Sequence, residues 1–440
     1  MKKGRWRNAY AIIAFALTVM VLLSLPHQAE AFEGMRSLGT VVPQEEEFRD
    51  LAPGGAPKFA KPDCKETDPG SSARQAGVYR VCIGPRRAAA ESTEKRREST
   101  PLAARVMDDG GEGAPCDAPE TGKYYYARAG SCMNDMEVEF KEIDINGKEI
   151  GTAFLTVTTG EGLDGLKWSE LITIKWKSTR GVIKGGLDIG FSAGCGTPCS
   201  MAQKSPWEGS KPLKEGGELM GIVTFEAAIN KGEDHSFTTN YELTATEPGT
   251  IPIKRVTSWS KPEPIRCDDA VGKYPGCVYK VVTPVFRLSM SQYGGAAATY
   301  LWAQQSLWDH WGDKKPLRRM SDETIARSNR RKVCDQLPDP FERFDDIVPN
   351  DSCDEYPFAS TYESGASTIN SNCADIVPLL EHGKWVIYEA RKDKPVTGEE
   401  PCVRGHVTLD MNKKAGGALG NFVQSERILD SDRYKVSIYQ

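Results

Sequence analysis

The sequence predicts an α+β protein with two folded parts. The N-terminal part is expected to be an antiparallel β-sandwich or barrel-like domain, and the C-terminal part a small domain of mixed strands and helices. Three observations carry this prediction. Alternating apolar and polar runs fill residues 116–292, helical patterns begin at about residue 293, and a strand–helix–strand pattern ends the chain. At 440 residues there is room for two domains and linkers.

Residues 1–31 are typical of a signal peptide. Basic residues precede an apolar run from Ala9 to Leu25, Pro26 ends that run, and the stretch AEA at 29–31 supplies the small residues that signal peptidase requires. An uncleaved membrane anchor is the alternative, because the run is nearly long enough to span a bilayer. We therefore expect a secreted, extracellular protein with no transmembrane segment after signal removal.

The cysteines point to the same compartment. There are twelve, none in the leader, and this number predicts six disulfide bonds in an exported chain. Pairing of sequence neighbours is the simplest arrangement, although the sequence leaves other pairings open. Cys195 and Cys199 have a spacing that zinc sites also use, but no second ligand pair accompanies them, so a disulfide is favoured.

Residues 32–115 are predicted to be largely disordered linker. They are rich in charge, Ala, Gly and Pro, and such a composition buries too little apolar surface to offset chain entropy. The segment AGVYRVCIG at 76–84 is the exception. It is expected to form one short strand tethered by Cys82.

Residues 116–292 are predicted to be a β-rich domain of unknown role. The pattern alternates on both sides of Asn146-Gly147, a preferred two-residue hairpin turn. The domain has no acid pair, no paired histidines and no glycine loop for phosphate, and His235 is expected to be a solvated loop residue. Its tryptophans belong to the core or, alternatively, to a surface for carbohydrate, cell wall or a protein partner; the core is favoured. These residues are Trp168, Trp176 and Trp207.

Residues 293–440 are predicted to form the second domain. The run GGAAATYLWAQQSLWDHWG predicts an amphipathic helix, and its residues at helical spacing are Leu301, Gln305, Trp308 and Trp311. The run SDETIARSNRRKVC predicts a second helix, with Ser321 as N-cap and Cys334 at its end. The last 35 residues or so predict a strand, a helix and a final strand through Tyr434.

The stretch SCDEYPFASTYESG at 352–365 concentrates three acids, Asp354, Glu355 and Glu363, among residues that favour burial. Acids in such surroundings are costly unless they serve a metal, a charge partner or a hydrogen-bond network. One interpretation is helix capping or salt bridging to nearby arginines. The other is an active site, which requires a partner element elsewhere in the chain.

The run DMNKKAGGALGN at 410–421 supplies that element. Together the two runs resemble the NucA/NucB family of secreted deoxyribonucleases over about residues 310–440. The first run matches at Cys353, Asp354, Glu355, Tyr356, Pro357 and Glu363, and the second at Asn412, Ala415, Gly416, Gly420 and Asn421. The resemblance implies a small ββα-metal fold related to the His-Me finger nucleases.

The resemblance also implies roles for individual residues. Asp354 is the expected general base, Glu355 could serve as base or ligand, and Asn412 is the expected helix ligand to Mg²⁺ or Mn²⁺. Glu363 is expected to assist by ligation or orientation. Asp410 is a further candidate ligand, since Met411 stands where an acid is expected. Among the histidines, His406 is the runner-up base, although a structural role is favoured.

These expectations give a metal-dependent endonuclease that hydrolyses DNA without sequence specificity. The formal net charge of −5 excludes binding of nucleic acid over the whole surface, so a local basic patch must hold the phosphates. The candidates are Arg318, Arg319, Arg330, Arg331, Lys413 and Lys414. The alternatives are a binding protein whose nuclease-like domain is inactive, which Met411 favours, and a nuclease toxin.

Overall fold

The structure is a computed structural model that describes residues 35–43, 51–86, 120–181, 183, 186–247, 255–335, 339–367 and 373–440. The predicted signal peptide lies outside these residues. The chain divides into two compact units. The β-rich unit comprises Glu47–Thr283 and Val423–Arg427, and the carboxyl-terminal unit comprises the residues before it together with Pro284–Phe422 and Ile428–Gln440. Strand β1, Ser37–Val41, belongs to the carboxyl-terminal unit.

In the β-rich unit the described residues form strands and one short helix, α1, at Ser72–Gln75. Its strands are β2 Ala52–Gly55, β3 Lys58–Phe59, β4 Asp63–Glu66, β5 Arg80–Pro85, β6 Tyr124–Ala127, β7 Gly130–Ile143, β8 Glu149–Gly162, β9 Lys167–Gly181, β10 Leu187–Cys195, β11 Cys199–Gln203, β12 Lys211–Leu213, β13 Glu218–Ala227, β14 Asp234–Phe237, β15 Thr239–Thr246, β16 Arg255–Ser260, β17 Ile265–Asp268 and β18 Gly276–Tyr279.

These strands form three sheets. The largest has nine strands, with the path β11-β13-β9-β8-β7-β5-β4 and β6 and β2 added beside β7. The second has the order β12-β10-β15-β16-β3, and the third the order β14-β17-β18. The two larger sheets contribute to one apolar core. The pairings of the described strands close neither sheet into a ring, so the strand-rich class is confirmed, whereas the sandwich or barrel form stays a prediction.

Several expectations about this unit need correction. Residues 52–66 form β2, β3 and β4 instead of linker. Asn146 and Gly147 lie in a five-residue connection, because the Asp144 side chain accepts from the backbone N–H of Asn146 and Lys148 at 2.9 and 2.8 Å. His235 is exposed, as expected, but lies in β14.

The structure places the tryptophans of the β-rich unit in or against its core, as the favoured interpretation predicts. Trp168 and Trp176 are buried and Trp207 packs against the core, which removes the first two from any carbohydrate surface.

The described residues of the carboxyl-terminal unit form two sheets and three helices. Its remaining strands are β19 Val285–Ser289, β20 Leu317–Arg318, β21 Asp351–Tyr356, β22 Ala374–Glu381, β23 Lys384–Glu389, β24 Val403–Thr408 and β25 Arg433–Tyr439. Its helices are α2 Met290–Ser306, α3 Glu323–Cys334 and α4 Leu409–Ser425, with a 3₁₀ turn at Gly365–Ser367. The sheets have the orders β1-β23-β22-β24-β21 and β19-β25-β20. The final strand, helix and strand confirm the prediction for the end of the chain.

The helices correct two details of the sequence analysis. Helix α2 ends at Ser306, so Trp308 and Trp311 lie beyond it, and it is buried on most sides because it packs on both sheets of its unit. It is therefore not the amphipathic helix that the spacing predicts. The N-cap of α3 is Asp322, one residue after Ser321, and its side chain accepts from the backbone N–H of Thr324 at 2.7 Å.

Five disulfides lie among the described residues, and each joins sequence neighbours as expected. They are Cys64–Cys82, Cys195–Cys199, Cys267–Cys277, Cys334–Cys353 and Cys373–Cys402. The Cys195–Cys199 bond excludes zinc there. The predicted partner of Cys132, Cys116, lies outside the described residues. Such bonds are typical of proteins that mature in an oxidising compartment. Over the described part of the chain, no helix is long and apolar enough to cross a membrane.

Candidate active site in the carboxyl-terminal unit

The acidic run forms β21, which pairs antiparallel with β24. In this register Cys353 lies opposite His406, Asp354 opposite Gly405, and Glu355 opposite Arg404. Residues directly opposite share a sheet face, whereas neighbours along a strand point to opposite faces. Asp354 and Glu355 therefore point to different sides of the sheet. One phosphodiester bond cannot receive both carboxylates at once.

Asp354 faces helix α2 and is buried. The Tyr300 hydroxyl donates to its two carboxyl oxygens at 3.0 and 2.9 Å. On β24 the opposite residue is Gly405, where any side chain would overlap Thr299 of α2. Burial, followed by repulsion from Glu355, raises the pKa of Asp354 to about 8. The group is therefore largely protonated at neutral pH in this structure.

Glu355 faces helix α3 and is also buried. The Arg330 Nε donates to its Oε1 at 3.0 Å, although the Arg330 side chain itself is 64% exposed. Burial raises the pKa of Glu355, and the Arg330 charge opposes that rise. The second oxygen lies 3.9 Å from Cys334 Sγ, beside the Cys334–Cys353 disulfide. Glu355 therefore forms an ion pair with an arginine on the surface of α3.

Asn412 lies in the first turns of α4 and holds the start of β21. Its Nδ2 donates to the Ser352 hydroxyl at 3.0 Å and to the Cys353 carbonyl at 2.8 Å. A carbonyl only accepts, so the nitrogen end of the amide must face β21. The Oδ1 consequently points elsewhere, and no donor to it is found among the described residues. Ser352 and Asp354 are two residues apart on the strand and share a face.

The other proposed ligands are engaged in ion pairs. Glu363 is buried and accepts from the backbone N–H and the Nε of Arg318 at 2.8 and 2.7 Å. Asp410 is exposed and pairs with Lys414 at 2.7 Å. In the described residues, neither carboxylate contacts Asn412 or Asp354.

The runner-up base, His406, occupies a closed structural position. Its Nδ1 lies 2.6 Å from Asp351 Oδ2, and its ring packs between those of Phe341 and Phe344, each with a centroid distance of 4.3 Å. Both His406 and Asp351 are buried. The geometry supports the structural role that the sequence analysis favours.

The predicted phosphate-binding residues separate into two groups. Arg318, Arg330 and Lys414 are paired with the acids named above, and Arg319 donates to the Ile428 carbonyl. Arg331 and Lys413 are exposed, and neither forms an ion pair with a described residue. Free positive charge is therefore found on the last turn of α3 and the first turn of α4.

Among the described residues, one group of three side chains of the kinds that bind metals lies close together: Cys334, Cys353 and Glu355. The two cysteines form a disulfide and offer no thiolate, so only the Glu355 carboxylate could bind an ion. The predicted ligand set of Asn412, Asp410 and Glu363 is not assembled. A separate cavity of about 340 Å³ near His310, Asp313 and Lys314 has none of the predicted catalytic residues in its lining.

Residues 308–384 match the family model of the deoxyribonuclease NucA/NucB. The carboxyl-terminal unit thus contains a segment that matches the NucA/NucB deoxyribonucleases, and a relation to ββα-metal nucleases is consistent with that family. The matched segment contains Asp354, Glu355 and Glu363 and ends before β24, so His406 and Asn412 lie outside it. Comparisons with curated proteins and with solved structures found no match.

Three hydrogen-bonding partners of the predicted site residues were not expected from the sequence: Tyr300, Ser352 and Asp351. Tyr300 lies 54 residues from Asp354 along the chain, and no local pattern relates them. The separation of Asp354 from Glu355, in contrast, follows from the two-residue period of a strand and could have been predicted.

Proposed function

We propose that the carboxyl-terminal unit is an endonuclease that hydrolyses phosphodiester bonds of DNA, without sequence specificity and with the aid of Mg²⁺ or Mn²⁺. One observation carries this proposal. The Asn412 amide is fixed against Ser352 and Cys353, directly before the buried Asp354 and on the same face of β21. The NucA/NucB match over this strand supports the substrate class.

The order of elements supports assignment to the ββα-metal type. Strand β21 pairs antiparallel with β24, and α4 follows β24 without a connecting loop. In the proposed fold these three elements are the ββα unit, and the β22–β23 hairpin is an insertion between its strands. Cys373–Cys402 joins the starts of β22 and β24, which pair in parallel, and so fixes that insertion at its base.

In this proposal Asp354 is the general base. A raised pKa of about 8 gives the carboxylate more proton affinity than an ordinary aspartate, and it still leaves part of the population ionised near neutral pH. Both oxygens accept from Tyr300, and each retains a further lone pair that can accept a proton from water. Glu355, on the other face, then holds Arg330 near the surface of α3.

Asn412 is the residue that would hold the metal. Its Oδ1 is left without a donor in the described structure, while its Nδ2 fixes the amide. Mg²⁺ retains several waters and is usually bound through one or two carboxylates together with substrate phosphates, so the amide oxygen of Asn412 would act as a ligand alongside the phosphate and water. When bound, the ion would polarise the phosphate and stabilise the leaving oxygen. Glu363 and Asp410 do not fit as ligands, because Arg318 and Lys414 occupy them.

Substrate would be held by the exposed cations of α3 and α4. Arg331, Lys332 and Lys413 are available for phosphate oxygens, and such contacts are independent of sequence. The disulfides fit an extracellular protein, and we propose that the chain is secreted and acts on extracellular DNA.

A plasmid-nicking assay on the full chain tests this proposal. Cutting should require Mg²⁺ or Mn²⁺ and stop with a chelator. Asp354→Asn should lower the rate by about 100-fold or more, as loss of an acid–base group typically does. Asn412→Ala should also lower the rate, through loss of the metal ligand. The exposed Asp393→Asn is the matched control and should leave the rate unchanged. If the folded wild type fails to cut with either ion, the proposal is wrong.

The burial of all three acids favours a second candidate, a binding protein with an inactive nuclease-like domain. The same assay separates the two. Comparison with Glu355→Gln also decides which carboxylate is the base, because the two acids face opposite sides of β21.

A further inference from the structure

The β-rich unit contains a buried ionic cluster that the proposed nuclease does not use. Lys261, Glu161 and Glu170 all have side chains with 0% exposure. Glu161 and Glu170 lie on β8 and β9 of the nine-stranded sheet, and Lys261 directly follows β16 of the five-stranded sheet. The Lys261 Nζ contacts Glu161 Oε1 and lies 3.2 Å from Glu170 Oε1. An amine therefore meets two carboxyl groups between two sheets.

The surroundings of Glu161 polarise its carboxyl group. The Trp168 Nε1 donates to Oε2 at 3.0 Å. The other oxygen, Oε1, accepts from Ser131 at 2.8 Å, from the Tyr279 hydroxyl and from Lys261. Hydrogen bonds to carboxyl oxygens in a site without water draw electron density from the carbon and stabilise charge that develops on oxygen. These hydrogen bonds make the carboxyl carbon of Glu161 more susceptible to attack by the Lys261 amine.

Glu170 is placed to move protons. Burial raises its pKa, with repulsion from Glu161 adding to the rise and the Lys261 charge opposing it. Its Oε2 accepts from Tyr241 at 2.6 Å. Its Oε1 is buried and receives no hydrogen bond of acceptable geometry, although Lys261 Nζ is near. A carboxyl group of this kind can pass a proton between the amine and a departing oxygen.

The energetics favour removal of these charges. Desolvation makes a buried ion pair costly, and a second carboxyl group without a second cation adds to the cost. A neutral amide removes one charge of each sign and keeps Oε2 as the acceptor for Trp168. The hydroxyl groups of Ser131 and Tyr279 lose Oε1 but lie 3.2 Å from each other and can pair together. The two groups are also held in contact by the fold, which converts a slow reaction between two molecules into a fast one within a single molecule.

We propose that Lys261 and Glu161 condense into an intramolecular amide that crosslinks the two sheets. The Lys261 Nζ attacks the Glu161 Cδ, a Cδ–Nζ bond forms, and the Cδ–Oε1 bond breaks. Two protons of the ammonium group reach Oε1, one of them through Glu170, and Oε1 leaves as water. Oε2 stays as the amide oxygen and keeps its bond from Trp168. No oxidant, reductant or cofactor is required.

Peptide mapping of the folded wild-type chain tests the crosslink directly. After reduction, alkylation and digestion, mass spectrometry should find a branched peptide that joins the Lys261 and Glu161 segments. Its mass should be lower by one water than the two segments together. Recovery of both segments as separate, unmodified peptides would overturn the proposal. A branch between Lys261 and Glu170 would overturn the choice of acceptor.

Two variants provide controls. Lys261→Arg keeps the positive charge but should yield no branched peptide, whereas Lys175→Arg, at an exposed ion pair with Glu218, should retain it. Glu170→Gln should leave the crosslink incomplete at early times after refolding if Glu170 relays the proton. Equal rates in Glu170→Gln and wild type would remove Glu170 from the reaction. Since the wild-type peptide map is decisive alone, a variant that fails to fold does not affect the result.

Discussion

At Asp354 the fold keeps a carboxyl group where the protonated form is more stable than the ionised form. The pKa rises from an ordinary value of 3.8 to about 8 because the group is buried and Glu355 is adjacent. For an acid with a raised folded pKa, its favourable contribution to stability is fully present below 3.8. That contribution is lost as the pH rises towards about 8. A group that costs stability at neutral pH is often retained for function.

The Asp354→Asn variant should therefore be more stable than wild type and less active. At neutral pH we expect the free energy of unfolding to rise by up to about 4 kcal/mol, since pH 7 lies about 3 units above the ordinary value of 3.8 and each unit is worth about 1.4 kcal/mol. Urea denaturation at several pH values should show this difference growing from pH 3.8 to about 8. A difference that does not depend on pH would contradict the burial argument.

Glu355 and Arg330 form a pair of unequal exposure. The carboxylate is buried, whereas the guanidinium side chain is 64% exposed. Loss of the arginine leaves a buried acid without a cation, held by backbone hydrogen bonds that include one from Ala359 and with Cys334 Sγ 3.9 Å from its second oxygen. The cost arises mainly from the unpaired acid and not from lost attraction.

We expect Arg330→Met to lower the free energy of unfolding by about 1–2 kcal/mol, a reduced value because water already reaches the arginine. Arg327→Met on the same helix breaks an exposed pair with Glu323 and should cost less than about 0.5 kcal/mol. Glu355→Gln should recover much of the loss in the double variant. Equal losses for Arg330→Met and Arg327→Met in urea titrations would show that Glu355 is adequately solvated without its partner.

Among the elements, helix α2 depends on one glycine for its position against α4. Gly294 has φ 48° and ψ −121°, a conformation that favours glycine, and it interrupts the helix. A Cβ there would lie 2.8 Å from the Met411 Cε and 3.0 Å from its sulfur. Met411, which replaces an expected acid, thus packs against the backbone of α2.

Gly294→Ala should destabilise the protein by about 2 kcal/mol, through backbone strain and overlap with Met411. Gly416→Ala is the matched control. It lies within α4 with open space around its Cα, and it should raise the free energy of unfolding by about 0.5–1 kcal/mol through helix propensity. Differential scanning calorimetry should show a lower melting temperature for Gly294→Ala and a higher one for Gly416→Ala than for wild type. A stabilised Gly294→Ala would show that the interruption of α2 is not required.

The elements also show how far sequence reasoning reaches. The runs that alternate or follow a helical period were predicted correctly as strands and helices, because local pattern determines them. Strand β1 was missed because its partner, β23, lies some 350 residues later, and its own composition resembles linker. The end of α2 was misplaced because Trp308 and Trp311 keep a helical spacing after the backbone becomes extended at Leu307. Asp354 and Asn412 were selected from a motif, but Tyr300 requires the folded chain.

At the scale of the whole molecule, charge limits how DNA can bind. A chain with a formal net charge of −5 repels a polyanion at long range, so attraction must come from a few local cations. Most of the arginines near the acidic strand are already paired with carboxylates. The exposed cations without an ion pair in the described carboxyl-terminal unit include Arg331, Lys332 and Lys413.

Salt dependence measures this directly. Each phosphate contact contributes a slope of about −0.9 when the logarithm of the binding constant is plotted against that of the salt concentration. Three cations therefore predict a slope of about −3 for duplex DNA of mixed sequence. Replacing both Arg331 and Lys332 by Gln should change the slope from about −3 to about −1. The measurement is fluorescence anisotropy with the Asp354→Asn chain, so that DNA is bound but not cut. A steep slope that survives the double replacement would place the DNA on another surface of the protein.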